Sequence, residues 1–315
     1  MNARPAWPDG KRFAFSIFDD ADDATVANSA PIYRLLADLG LLTTKSVWVY
    51  PPRGTFHGES LQDAHYRAWI QGLVAEGFEI GLHNVGDGVF TRAEILAGLD
   101  LFDEVVGHYP RAHANHVSNP DCIYWWDRRF EWPFSLVYRV AYRLRHGSRA
   151  HGAGHDPASP QFWGDAFKEH VAYVRNLTFN DIDTLARDPR MPYEVSSKRE
   201  YSNRWFSSSD GQRVEEMRDL LSDRNVDALA ASGGACIVYT HFASGFVDAD
   251  GRVDPVVRRG LERLASLDGW FVPVSPLLDH LVERGAGADP GYLYRLGRNL
   301  RWGLDRLEKR RRYRR

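Results

Sequence analysis

Two observations predict an α/β fold built on a mostly parallel sheet. Short apolar runs alternate with stretches of helical periodicity through the first third of the chain, which is how strands joined by crossover helices read. Polar residues then recur at the carboxyl ends of separate expected strands: Asp19 and Asp20, His83, Arg111 with His113 and His116, Asp181, and His241. In parallel α/β folds, barrels included, sites lie at that end of the sheet, so these residues are expected to converge on one mouth.

The elements follow in order. Phe13 to Phe18 is an apolar strand closed by Asp19 and Asp20. Ile32, Leu35, Leu36 and Leu39 repeat at helical spacing until Gly40, and Ser46 to Tyr50 forms a second strand before Pro51-Pro52. Tyr66, Trp69, Ile70, Leu73 and Val74 make the next helical stripe, which Gly77 stops, and Phe78 to Leu82 is a third strand ending at His83. Thr91 with Glu94 three residues on is a capping box for a helix whose apolar residues run from Ile95 to Val106. Arg111 to Val117 is expected as strand four. Residues 121–165 break the rhythm with Trp125, Trp126, Trp132 and several arginines, and read as an insertion. A further strand is expected from Ala172 to Phe179, whereas Glu194 to Phe206 has no clear pattern. Ala235 to Tyr239 reads as a buried strand ending at Thr240-His241, Asp254-Pro255 opens an amphipathic helix through Leu267, Trp270 to Val274 is the last strand, and Ser275 caps a final helix of this body through Glu283.

At 315 residues, with 43% hydrophobic and 13% aromatic content, the chain can bury a large core. Its formal net charge of -2 argues against a surface designed for nucleic acid. Cys122 and Cys236 lack metal-type spacing and sit beside apolar residues, so reduced thiols and a cytoplasmic location are expected. The first residues lack the apolar stretch of a signal peptide, and no run of 18 apolar residues occurs.

Two adjacent carboxylates resist ionising together unless a cation sits near them, so Asp19 and Asp20 point to a metal site or an acid/base pair, against the plainer reading of an acid-rich turn continued by Asp22 and Asp23. Together with histidines at other strand ends they suit a hydrolytic, zinc-type ion. The runs Phe15 to Asp20 and Gly77 to Asp87 resemble the polysaccharide deacetylase superfamily, the NodB-homology or carbohydrate esterase family four enzymes. The resemblance covers roughly residues 11–117 and 170–280 and implies a distorted (β/α) barrel of about seven parallel strands. It implies that Asp19 is the general base, that Asp20 and His83 hold a divalent metal ion, zinc first among candidates, and that His241 protonates the leaving amine. Arg111 fits the arginine of the family's third motif loosely. The second motif departs from the family, because Asp87 stands where a second histidine is usual. The third ligand is therefore left among His116, His113 and Asp87; His116 is preferred as the nearer to the strand end, with Asp87 next.

The expected organisation is a barrel over 1–290 with an insertion at about 121–165, followed by a basic amphipathic tail over 291–315. That tail carries ten Lys/Arg in its last 24 residues. With the Trp/Arg insertion, it suggests peripheral contact with an anionic membrane surface. The implied activity is hydrolysis of an N-acetyl group from a sugar of a cytoplasmic, lipid-linked glycan intermediate. The alternatives are a catalytically degenerate glycan- or lipid-binding protein and a metal-dependent amidase acting on a small nitrogenous substrate.

Overall fold

The computed structural model describes residues 6–117, 119–147 and 152–313. Its strands are β1 (Phe13–Asp19), β2 (Thr44–Val47), β3 (Glu79–Leu82), β4 (Ala112–His113), β5 (Tyr173–Phe179), β6 (Tyr193–Glu194), β7 (Arg204–Asp210), β8 (Ala235–Thr240) and β9 (Gly269–Phe271). The helices are α1 (Val26–Asp38), α2 (Ala64–Ala75), α3 (Arg92–Val106), α4 (Phe134–His146), α5 (Gly164–His170), α6 (Thr184–Arg187), α7 (Val214–Leu220), α8 (Asp223–Ser232), α9 (Pro255–Ala265), α10 (Val274–Glu283) and α11 (Tyr292–Arg312).

Seven strands close into a parallel ring in the order β1-β2-β3-β4-β5-β7-β8 and back to β1. This is the distorted (β/α) barrel expected from the sequence. The distortion has a visible source. β1 pairs with β9 along Phe13 to Phe15 but with β2 only at Phe18 and Asp19, so β9 wedges into the seam where β1 and β2 splay. β6 adds an antiparallel edge to β7. All residues of β1 and β5 are buried, as barrel strands covered by helices must be; β1 is accordingly apolar from Phe13 to Phe18 apart from Ser16, whereas β5 buries Arg175, Asn176 and Thr178 among its apolar residues. Outside the ring, Thr91 and Glu94 form the predicted capping box, and Gly107 ends α3 at φ 91°, a left-handed position that glycine takes without a Cβ clash.

The boundaries differ from expectation where hydrogen bonding departs from apolar pattern. β2 stops at Val47 because Val49 and Tyr50 both donate their N–H to Val85 O, leaving the ladder. β4 is only two residues long, and β9 ends at Phe271. β7 begins in the stretch that had no clear pattern and runs beyond it to Asp210. Its buried Ser207 and Ser209 hydroxyls bond to Asp188 at 2.6 Å and to Thr184 at 2.6 Å, so beyond the buried Trp205 and Phe206 the strand is satisfied by polar partners and carries little hydrophobic signal.

The segment expected as a separate tail forms α11, which crosses the carboxyl ends of β5 and β7. Asp305 accepts from Asn180 N at 2.9 Å, Arg306 reaches Asp210 at 2.6 Å, and Lys309 reaches the same carboxylate at 3.0 Å. Trp302 packs on Phe130, with ring centres 4.9 Å apart, beside Leu177 and Phe179 of β5. The insertion's Trp126–Arg129 turn and α4 therefore meet α11 over one side of the barrel mouth.

Candidate active site

β1 delivers its acids in different directions. Asp19 is still in the ladder, and its carboxylate is buried against Tyr33 Oη at 3.1 Å, Phe242 N at 2.9 Å and Lys45 Nζ at 3.1 Å. Burial pushes Asp19 above the usual carboxylate range, with Lys45 opposing. Asp19, expected as the general base, therefore has its carboxylate buried among Tyr33, Lys45 and Phe242, and the cavity lining does not include it. Shortening Lys45 to methionine leaves that carboxylate without a counter-charge and is expected to cost about 3 kcal/mol; an unchanged urea midpoint would contradict the pairing.

Asp20 is the first residue beyond the strand, and the alternation of side chains turns it into the cavity. Arg175, from the middle of β5, grips both of its oxygens at 2.6 and 2.5 Å. Burial pushes Asp20 up, but Arg175 and His83 outweigh it and hold the carboxyl below its ordinary value. Asp20 was expected as a metal ligand. The guanidinium occupies both its oxygens, while His83 Nε2 and His241 Nε2 each stand 3.7 Å away.

The imidazoles converge on Asp22. Its Oδ1 lies 2.8 Å from His116 Nε2, and its Oδ2 lies 3.3 Å from His83 Nε2 and 2.7 Å from His241 Nε2. One ligand atom from each of Asp22, His83 and His116 falls within 4.8 Å of the others, and Asp20, Asp22 and His241 form a second such group. His83 and His116 both have their tautomers set from behind. His83 Nδ1 donates to Ala114 O at 2.9 Å. His116 Nδ1 donates to Asn119 Oδ1 at 3.1 Å, and Asn119 is itself oriented by donating to Gly86 O and accepting from Gly88 N. In the neutral state each Nε2 therefore turns a lone pair toward Asp22, the arrangement expected of metal-ligating histidines. Asn84, at φ 51°, accepts from His116 N at 2.8 Å and donates to Asp121 at 2.7 Å, fixing the loop that carries His116. Burial raises Asp22, but the three imidazoles overcome it and hold the carboxyl well below the usual range. Burial lowers His116 and His241, but Asp22 outweighs it and leaves both above the ordinary histidine value. These residues fit a divalent cation: a carboxylate and two imidazoles converge with their outer nitrogens anchored.

The other expected site residues go elsewhere. His113 has the opposite parity from His116 and packs edge-on against Trp163 and Phe167, with burial pushing it down to about 3. Asp87 sits behind the site, accepting from Phe56 N at 2.9 Å with its Oδ1 3.7 Å from His116 Nδ1, so it faces the outer nitrogen rather than the one turned toward Asp22. Arg111 precedes β4 at the amino end of the strand and pairs with Asp279 at 2.9 Å, outside the gathered set. Asp181 pairs with Arg187, and Asp183 caps α6. His241 does reach the cavity, at the end of β8.

The cavity has a volume of about 260 Å³; Asp20, Asp22, His83 and His241 share its lining with Arg129, Arg175 and Arg306 and with Phe56, Trp125, Tyr239 and Trp302. Sequence reasoning missed Asp22 and Arg175. A third acid two residues beyond Asp20 was one signal, and an arginine inside a strand otherwise reading as buried was the other.

The fold and site together define a closed parallel (β/α) barrel with a His–His–Asp cluster at its carboxyl mouth. No family model matches the chain, and no curated protein does. Among solved structures it is similar to peptidoglycan deacetylase PdaC from Bacillus subtilis, at 13% identity over 86% of this chain and 93% of that one, with a TM-score of 0.42. It is also similar to the polysaccharide deacetylase Bc1974 from Bacillus cereus (9% identity, 83% and 92% covered, TM-score 0.37) and to a family 4 acetyl xylan esterase from Clostridium thermocellum in complex with a cobalt ion (13%, 87% and 92%, 0.39).

Proposed function

We propose that the protein is a metal-dependent hydrolase that removes the N-acetyl group from an amino sugar. The observation that carries this is the convergence of Asp22, His83 and His116 beside a carboxylate, Asp20, that Arg175 keeps ionised. Two imidazoles and one carboxylate suit zinc, and an ion held by these three residues would supply Lewis acidity at the acetamide. Asp20 takes the proton of the attacking water as its oxygen adds to the acetyl carbon. His241 delivers a proton to the nitrogen as the C–N bond breaks, giving acetate and a free amino sugar. The aromatic walls formed by Trp125, Tyr239 and Trp302 offer faces for the sugar ring. The complete donor set favours activity over a catalytically degenerate binder. Incubation of the zinc-loaded protein with N-acetylated sugars should release acetate, which chelation abolishes and zinc restores. Amine release from small non-sugar amides, with none from sugars, would favour the amidase alternative.

A lipid-linked substrate in the cytoplasm is the finer part of the proposal. Cys122 and Cys236 are free and buried, in keeping with a reducing compartment. Among the described residues no helix is long and apolar enough to cross a membrane. Yet α4 and α11, which meet beside the cavity, leave Leu144 82%, Leu293 79% and Leu304 61% exposed, and Trp132, just before α4, is 67% exposed. Arg143 and Arg145 end α4, and Arg310 to Arg312 end α11, so apolar area and positive charge lie on the same helices. Sedimentation with phosphatidylglycerol vesicles but not with phosphatidylcholine vesicles is expected, and the double change Leu144→Glu with Leu304→Glu should abolish it.

A further inference from the structure

The cavity contains a cation that the proposed chemistry does not use. Arg129 closes the short turn Trp126–Arg129, and its guanidinium carbon stands 4.3 Å from the ring centre of Trp125, 4.6 Å from that of Phe130 and 4.8 Å from that of Trp302. Its Nη1 donates to Asn176 O at 3.3 Å, while its buried Nε has no partner. Among the described residues no carboxylate forms an ion pair with it. Asp127, the acid of its own turn, is taken by Arg139 at 2.7 Å, whereas the neighbouring Arg175 and Arg306 are matched by Asp20 and Asp210.

Stacking on aromatic rings offsets only part of what desolvating a guanidinium costs, and an unmatched one is costly unless an anion joins it. Burial and the nearby arginines push Arg129 down to about 10, so it remains a cation at neutral pH. A guanidinium that lines the cavity without a carboxylate partner matches a sugar bearing an oxyanion, to which the arginine donates.

We infer that Arg129 is the subsite for an oxyanion carried by the substrate, so that the amino sugar is a phosphate ester or an acidic sugar rather than a neutral one. This rests on the reading of the cavity as an amino-sugar site, and its test measures binding so that the two can fail separately. Isothermal titration would compare N-acetylglucosamine, N-acetylglucosamine 1-phosphate and N-acetylmuramic acid. At least one anionic sugar is expected to bind at least about tenfold more tightly than the neutral one, the scale of a charge-assisted bidentate contact. Whichever anion gains more identifies the phosphate or the carboxylate as the source. Arg129→Met should bring the ratio close to one, and Arg129→Lys should restore part of it. Equal or absent binding of all three sugars to the unaltered protein overturns the inference without reference to any variant, as does a preference that survives Arg129→Met in a protein whose circular dichroism is unchanged. A preference lost in Arg129→Met without acetate release would leave the subsite standing and sink the proposed reaction; acetate release without a preference would do the reverse.

Discussion

Asp22→Ala is expected to lower metal affinity by at least about 100-fold, beyond the effect of removing a residue that merely orients a ligand, and to remove acetate release with it. The reason is the donor count. Without Asp22 the cluster keeps two imidazoles, His83 and His116, whose lone pairs converge on a space with no anionic donor to neutralise a dication. Asp20 cannot move in as a substitute without giving up two charge-assisted hydrogen bonds to Arg175. The contrasting variant is Asp20→Asn, which should keep one ion per chain and still lose turnover, because what it lacks is the proton acceptor. Metal stoichiometry after exhaustive dialysis, paired with chelator competition, reads the two apart. If Asp20→Asn lost the ion while Asp22→Ala kept it, the ligand would be Asp20, as the tandem-acid motif first suggested, and the assignment made from the geometry would be wrong.

That reversal shows what the sequence holds and what it does not. Strand and helix order were legible because burial imposes period: Phe13 to Phe18, Phe78 to Leu82 and Ala235 to Tyr239 are each an apolar run ending in a polar residue, and each is a ring strand ending at the mouth. β7 was not legible, since only Trp205 and Phe206 are apolar and the serines that follow are buried through hydroxyl bonds to Asp188 and Thr184. The site shows the same division. His83 and His241 are named by their position after a strand. The roles of Asp19, Asp20 and Asp22 depend on where the chain turns, and a shift of one residue exchanges a buried structural acid for a cavity acid. Arg175 carries no local mark of its task; only the closure of β5 toward β1 through β7 and β8 places it opposite Asp20.

Arg175→Met should therefore do more than remove a charge. In the folded protein burial raises Asp20, and Arg175 is the foremost of the groups that reverse the sign and hold it below the usual carboxylate range. A carboxyl with a depressed folded value contributes stability above its unfolded pKa and loses it as pH falls through the folded value. Activity that needs Asp20 ionised accordingly keeps its acid limb below the ordinary range in the unaltered protein. With methionine at position 175 burial prevails, so the acid limb of kcat/KM is expected to move upward, with activity lost in weakly acidic buffer and recovered in part as pH rises. Stability at neutral pH should fall by about 3 to 5 kcal/mol, the cost of leaving one member of a buried pair unmatched. Adding Asp20→Asn removes the stranded charge, so the double variant should be more stable than Arg175→Met alone even though its activity is lower. That crossing of stability and activity separates a residue that positions a base from one that only props up the barrel. An acid limb that does not move in Arg175→Met, in a protein that still binds its ion, would mean that Asp20 is not the group whose ionisation the reaction needs.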